Sequence, residues 1–217
     1  MNADAFDADP GRDAHLREAT LRSEQVYRGS FLDVRRDAVR LPDGATATRE
    51  YIVHPGAVMV VPLLDDGRLV VARQWRYPLA RAMLEFPAGK LEVGEAPLAC
   101  AVRELAEETG YAAAEWARAG ILHNAIAYSN EGIEVWFARG LVLGERRLDA
   151  GEFLDVASAS LDELDALARD GELTDAKTLV GMLWLQNWRA GRWPLEWRAA
   201  AAGLCVSDLP ALPAVRR

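Results

Sequence analysis

Three glutamates and an arginine lie close together in one short segment of the chain. Arg103 and Glu104 are adjacent, and Glu107 and Glu108 follow within one helical turn. Glutamates three and four residues apart would lie on one face of a helix, where like charges are destabilising. A hard divalent cation would offset this repulsion, because Mg²⁺ binds carboxylate oxygens and shares itself with substrate phosphates. The spacing predicts a metal-assisted site for phosphate chemistry, against the alternative of an ordinary solvated acidic face.

These charges require a helix with defined ends. Pro97 suits the first turn, because its missing N–H would have no partner there. Apolar residues then recur at the i, i+3, i+4 and i+7 positions of one buried face, namely Leu98, Ala101, Val102 and Leu105. Gly110 can adopt a positive φ just past the helix end. The pattern predicts a helix over residues 97–109.

The segment before this helix is predicted to be a short strand that ends in a tight turn, over residues 84–89. Gly89 would allow a sharp bend of the backbone that turns the Ala88 carbonyl toward a metal. Glu95 falls in the loop before the helix. We expect it to pair with Arg103 and to hold that loop against the helix.

The charged positions and glycines share one set of intervals, G-x5-E-x7-R-E-U-x-E-E-x-G-U, where U is a bulky apolar residue. They are Gly89, Glu95, Arg103, Glu104, Leu105, Glu107, Glu108, Gly110 and Tyr111. This segment resembles the Nudix box of Mg²⁺-dependent hydrolases that act on nucleoside diphosphates linked to another group. The resemblance implies an α/β (α+β) fold, with a mixed β-sheet sandwiched between helices. It also implies that the Ala88 carbonyl, Glu104 and Glu108 bind Mg²⁺ or Mn²⁺, with Glu107 close by.

Segments outside the box resemble the ADP-ribose pyrophosphatase subfamily. They are residues 27–34, 49–56, 73–78 and 173–178. The resemblance implies a homodimer whose subunits exchange their N-terminal strands. It also implies that Arg76 contacts substrate phosphate or ribose, where a guanidinium suits bidentate contacts. A surface salt bridge is the alternative role for Arg76. Glu85 and Arg49 are expected as further substrate contacts.

The general base is expected on a loop after the box, and three glutamates are candidates. Glu152 is the first choice, because residues 148–154 align with the loop that carries the base in the subfamily. A solvated loop glutamate is its alternative role. Glu131 is the second choice and Glu107 the third. The expected reaction is attack of water on one phosphorus of a diphosphate, which would convert ADP-ribose to AMP and ribose 5-phosphate.

One departure from the subfamily leaves the substrate open. The subfamily commonly carries a proline a short distance after the box, but residues 123–127 contain none. Another nucleoside diphosphate sugar, such as GDP-mannose, is therefore an alternative substrate. A non-enzymatic sensor that binds a nucleotide ligand is a further alternative, although the intact charged positions favour catalysis.

Composition narrows the classes of protein and of partner. A chain of 217 residues suits one domain with extensions. The net charge of −8 and the lack of a basic cluster argue against nucleic-acid binding. No apolar run is long enough to cross a membrane. Two cysteines without a secretory signal are typical of a reducing cytoplasm.

The chain is predicted to have four parts. These are a flexible arm over residues 1–24, an N-terminal antiparallel β extension over 25–56 for dimerisation, a Nudix domain over 57–190 and a C-terminal tail over 191–217. Strands are predicted at 26–34, 37–41, 48–54, 57–64, 68–75, 117–124, 133–140 and 153–157. Further helices are predicted at 161–169 and 176–190.

Overall fold

A computed structural model describes residues 11–148 and 150–199 and divides the chain into two units. The N-terminal unit contains the chain up to His54 together with Ala125–Glu131. The main unit contains Pro55–Asn124 and the chain from Gly132 onward. The sequence predicts residues 125–131 in the Nudix domain, whereas the structure groups them with the N-terminal strands. Within the described residues, every helix is too short or too polar to span a bilayer.

The N-terminal unit is a three-stranded antiparallel sheet of β1 (Ala19–Arg28), β2 (Asp33–Arg40) and β3 (Thr46–Val53), in that order. The predicted strand over 26–34 is wrong, because the chain reverses in its middle, where the Gly29 N–H donates to the Leu32 carbonyl at 2.8 Å. Residues 19–24, predicted in the arm, form the first six of the ten residues of β1. All residues of β1 are exposed, so apolar alternation could not mark it.

The segment 125–131 extends this sheet beyond β3. The Ile52 N–H donates to the Tyr128 carbonyl at 2.8 Å, and the Asn130 N–H donates to the Ile52 carbonyl at 3.4 Å. The His54 N–H donates to the Asn130 side chain at 2.7 Å. These bonds explain why a loop from the middle of the chain belongs to the N-terminal unit.

Two sheets form the main unit. The larger contains β4 (Ala57–Pro62), β7 (Ala88–Lys90), β8 (Tyr111–Leu122), β9 (Ile133–Leu143) and β11 (Arg198–Ala199) in the order β11-β8-β9-β4-β7, with only the β4–β9 pair parallel. The smaller is antiparallel and contains β5 (Leu69–Arg76), β6 (Arg81–Glu85) and β10 (Leu154–Ala159) in the order β10-β5-β6. The single strand predicted over 84–89 is thus two strands in different sheets. Pro87 breaks the ladder between them, because it has no N–H to donate.

Helices cover both faces of the larger sheet. They are α1 (Pro97–Thr109), α2 (Leu161–Arg169) and α3 (Ala176–Arg189). Val58 and Val60 of β4 share a buried cluster with α1, whereas Met59 and Val61 share another with α2 and α3. The alternation buries the whole of β4, and the predicted mixed sheet between helices is confirmed.

The predicted bounds of α1 are also confirmed. Pro97 opens the helix and Gly110 closes it at φ +77°, with its N–H donating to the Ala106 carbonyl at 2.9 Å. The structure describes the first nine residues of the tail, 191–199. Of these, Arg198 and Ala199 form β11, which pairs with β8. The rest of the tail and residues 1–10 of the arm lie outside the described residues.

Candidate active site

The box arginine connects the charged residues of α1 with the loop before it. Arg103 donates from Nε and Nη2 to the two oxygens of Glu95, both at 2.9 Å. Its Nη1 donates to Glu104 at 2.8 Å and to Glu107 at 3.0 Å. The ion pair predicted between Glu95 and Arg103 is therefore present. The hydrogen bonds from Arg103 lower the pKa of Glu95 to about 2, which keeps that carboxylate ionised.

Gly89 makes room for a metal-binding candidate rather than for a turn. It lies within the extended strand β7, so the sharp bend predicted there is wrong. A Cβ atom at this position would lie 1.8 Å from Oε1 of Glu104. A side chain at this position would displace the Glu104 carboxylate, whereas glycine lets the backbone of β7 border that carboxylate directly.

Glu108, one helical turn after Glu104, is buried and only 5% exposed. Its Oε2 accepts a hydrogen bond of 3.2 Å from the Ala88 N–H. Burial, with the negative charges of Glu104 and Glu152, raises the pKa of Glu108 to about 8. Burial also raises the pKa of Glu104 above its ordinary value, although Arg103 opposes this effect. Two neighbouring carboxylates are thus costly to ionise without a further cation.

The chemistry of these donors fits a hard divalent cation. Carboxylate oxygens that repel one another in a partly buried site are the ligands that Mg²⁺ prefers. Among the described residues, no His, Cys, Asp or Glu side chains form a group of three or more in ligating geometry. In this arrangement Arg103 already holds oxygens of Glu104 and Glu107, so metal binding would require the carboxylates to be shared or turned.

A second charged cluster lies at the end of β6. Arg76 of β5 donates to Glu85 through Nε at 2.6 Å and through Nη2 at 2.7 Å. Lys177, near the start of α3, also binds the Glu85 carboxylate and lies 2.9 Å from Asp175 Oδ2. Burial raises the pKa of Glu85, but its bonds and charges with Arg76 and Lys177 outweigh burial and lower it overall. Glu85 is therefore a buried, ionised and doubly paired carboxylate.

Lys177 and Asp175 belong to this cluster, although neither was predicted from the sequence as a site residue. Residues 173–178 were recognisable as a segment similar to the subfamily, but that likeness assigned no role to either side chain. Lys177 lies 92 residues from Glu85 in the chain, and only the packing of α3 against β6 brings them together.

The three candidate bases have different surroundings. Glu152 is partly buried, and its negative charge acts on both Glu104 and Glu108. Glu107 is held by Arg103. Glu131 belongs to the N-terminal unit, where its Oε1 lies 3.4 Å from Nε2 of the buried His54.

Arg49, predicted as a substrate contact, also belongs to the N-terminal unit. It lies in β3 and forms an ion pair with Glu18, with 3.0 Å between its Nε and Glu18 Oε2. Within its own unit its guanidinium is therefore already partnered.

Comparison with known proteins gives two family matches and several relatives that match over most of their length. Residues 53–180 match the model of the NUDIX domain, and residues 18–52 match that of the nucleoside diphosphate sugar hydrolase N-terminal domain. The chain is 39% identical to an ADP-ribose pyrophosphatase of Bacillus subtilis (strain 168), over 79% of this chain and 94% of that protein. It is 41% identical to an ADP-ribose pyrophosphatase of Mycobacterium tuberculosis, over 76% and 81% respectively. A crystal structure of an ADP compounds hydrolase matches with a TM-score of 0.74 and 25% identity, covering 82% of this chain and 97% of that one.

Proposed function

The chain belongs to the Nudix family of hydrolases, and we propose that it cleaves the diphosphate bond of a nucleoside diphosphate sugar. The proposed substrate is ADP-ribose, which water would split into AMP and ribose 5-phosphate. The observation that carries this proposal is the carboxylate cluster of α1 beside the β7 backbone, in which burial and neighbouring carboxylates raise the pKa values of the buried Glu108 and the partly buried Glu104. The two ADP-ribose pyrophosphatase relatives support the choice of substrate.

In this proposal the Ala88 carbonyl, Glu104 and Glu108 hold the metal, with Glu107 beside them. Mg²⁺ is the proposed ion and Mn²⁺ the alternative, since both accept oxygen ligands. When bound, the ion supplies charge neutralisation for the diphosphate and acidifies a water molecule. Arg103 keeps Glu104 and Glu107 oriented along one face of α1, and Glu95 anchors Arg103 in turn.

Glu152 is the proposed general base. Its charge acts on Glu104 and Glu108, so its carboxylate lies in the electrostatic field of the proposed metal ligands. A base must come within hydrogen-bond reach of the attacking water when substrate is bound. Glu107 is less suitable, because Arg103 holds one of its oxygens, and Glu131 faces His54 within the N-terminal unit.

Arg76 and Glu85 are proposed to bind the phosphate and ribose portion of the substrate. The side chain of Arg76 is 41% exposed, so it can reach a ligand while it remains near Glu85. Arg49 is also proposed as a substrate contact. A homodimer is proposed as well, because β1 is exposed along its whole length and carries the exposed apolar side chains of Leu21 and Val26.

The test is release of phosphate-containing products from a panel of substrates. The panel contains ADP-ribose, GDP-mannose, UDP-glucose, NADH, diadenosine polyphosphates and an oxidised nucleoside triphosphate, each with Mg²⁺ and with chelator. Chelator-sensitive turnover concentrated on ADP-ribose supports the proposal, and the Glu108→Gln variant should lose it. Turnover concentrated on GDP-mannose would move the substrate to another nucleotide sugar. No turnover of any compound would favour the ligand-binding sensor.

A further inference from the structure

Lys177 occupies an unusual position for a lysine, because its side chain is only 12% exposed and touches two carboxylates. One is Glu85, whose side chain is 6% exposed, and the other is Asp175 at 2.9 Å. Arg76 binds the same Glu85 from the open side of the cluster. The cluster thus holds two anions and two cations, and it is neutral as a whole.

The position of Lys177 is set by a chain of hydrogen bonds between β6 and α3. Asp175 caps α3, accepting bonds from the Thr178 N–H at 3.0 Å and from the Thr178 hydroxyl at 2.6 Å. The Thr178 hydroxyl accepts in turn from the Phe86 N–H at 2.9 Å. Because Phe86 follows Glu85 directly, this chain fixes Lys177 opposite the Glu85 carboxylate.

The two cations on Glu85 differ in their freedom to leave. Lys177 is enclosed and shared with Asp175, whereas the Arg76 side chain is 41% exposed. A buried carboxylate that loses all of its cations is strongly disfavoured. With Lys177 in place, Glu85 keeps one buried partner when Arg76 turns toward another anion. Without Lys177, Glu85 would hold Arg76 as its remaining strong partner.

We propose that Lys177 is a positioning residue that frees Arg76 for the substrate diphosphate by neutralising Glu85. This inference rests on the proposed function, because it assumes that Arg76 serves a nucleoside diphosphate sugar. Lys177 itself need not touch the substrate. Its effect should therefore pass through Glu85 and should vanish when Glu85 has no charge.

The experiment measures binding of α,β-methylene ADP-ribose with Mg²⁺ by calorimetry, since the methylene bridge prevents hydrolysis of the probe. Lys177→Met should raise the Kd about tenfold in the wild-type background and change it by less than about twofold in a Glu85→Gln background. Lys177→Arg should restore binding to within about threefold of wild type, because it keeps the charge. Lys177→Gln replaces Lys177→Met if the latter does not fold, with the same expected direction.

Thr174→Val is the matched control. Thr174 accepts a hydrogen bond of 2.7 Å from Arg81, which also ties β6 to the approach of α3 but does not touch Glu85. This variant should leave the Kd unchanged. Equal losses for Lys177→Met in both backgrounds would mean a merely structural role and would overturn the inference, as would no loss in either background. Absence of probe binding to the wild-type protein would overturn it as well.

The two proposals can fail separately. If the wild-type protein binds the probe and shows the dependence on Glu85 but hydrolyses nothing in the substrate panel, the inference about Lys177 holds and the hydrolase proposal fails. If it hydrolyses ADP-ribose and Lys177→Met has the same Kd as wild type, the hydrolase proposal holds and the inference fails.

Discussion

Replacing Glu108 by glutamine should stabilise the metal-free protein at neutral pH while it abolishes turnover. Glu108 is 5% exposed, and its pKa is raised to about 8 from an ordinary value of 4.5, chiefly by burial and then by Glu104. Between these two pH values the folded protein binds a proton that the unfolded chain releases. Stability therefore falls as pH rises through this window.

The size of the effect follows from the same shift. One pKa unit corresponds to about 1.4 kcal/mol, so the wild-type protein should lose roughly 3 kcal/mol of unfolding free energy between pH 4.5 and pH 7. Glutamine has nearly the shape of the protonated acid, and its side-chain oxygen can still accept from the Ala88 N–H. The unfolding free energy of Glu108→Gln should not fall with pH in this way. It should equal that of the wild-type protein only near pH 4.5, where Glu108 is protonated in the folded protein.

Urea unfolding followed by tryptophan fluorescence, in chelator and at a series of pH values, measures this difference. The unfolding free energy of the variant should exceed that of the wild-type protein by an amount that grows from pH 4.5 to pH 8. Added Mg²⁺ should raise the unfolding free energy of the wild-type protein more than that of the variant. Parallel pH curves for the two proteins, or a variant less stable at pH 7, would refute the reasoning that burial suppresses ionisation of Glu108.

Four other substitutions test the remaining parts of the site. Gly89→Ala would place a methyl group 1.8 Å from a Glu104 oxygen, so kcat should fall about 100-fold or more and Mg²⁺ should bind more weakly in calorimetry. Glu152→Gln should lower kcat by about 10²–10⁴-fold with KM nearly unchanged, whereas Glu131→Gln should have a kcat close to that of the wild-type protein. Steady-state kinetics measures both, and a large loss of kcat in Glu131→Gln but not in Glu152→Gln would make Glu131 the base. Arg103→Met should cost about 2–3 kcal/mol in urea unfolding, because it strips several carboxylates of their cation, and equal stability would show that these pairs contribute nothing.

Local signals were sufficient for the helices. Pro97 and Gly110 mark the ends of α1 through conformational limits that act within the residue itself, so no tertiary contact was needed to find them. The bounds of α2 are also those predicted, and Ser160 and Glu163 form a capping box at its start. The box itself could be recognised because its residues lie in one continuous segment, from Gly89 of β7 through the loop and α1 to Tyr111 at the start of β8.

The N-terminal strands lacked such a signal. A strand with one buried face shows apolar alternation, but β1 is exposed on both faces in the described chain. Its pairing with β2 depends on backbone hydrogen bonds and on contacts such as the bond of 2.8 Å from Gln25 to Asp33. Such strands are hard to bound from sequence, and the reversal at Gly29 was missed for this reason.

Contacts between segments that are distant in the chain could not be predicted from the sequence either. Gly89 and Glu104 were both recognised, but the reason for the glycine lies in how closely β7 passes α1. Lys177 reaches Glu85 only because α3 packs beside the end of β6. Conformational preferences of single residues do not contain this information.

The pairing of residues 125–131 with β3 affects how the two units can be separated by proteolysis or by gene fusion. The chain passes between the two units at three points, after His54, after Asn124 and after Glu131. A single proteolytic cut after Asn124 or after Glu131 leaves the chain up to His54 covalently joined to the main unit, whereas a cut after His54 leaves residues 125–131 attached to the main unit and paired with β3 only through hydrogen bonds. Because two separate segments of the chain form the N-terminal unit, a gene fusion at a single boundary could not transfer the whole unit to another protein. A graft of residues up to His54 onto another hydrolase would leave behind the segment that completes its last strand.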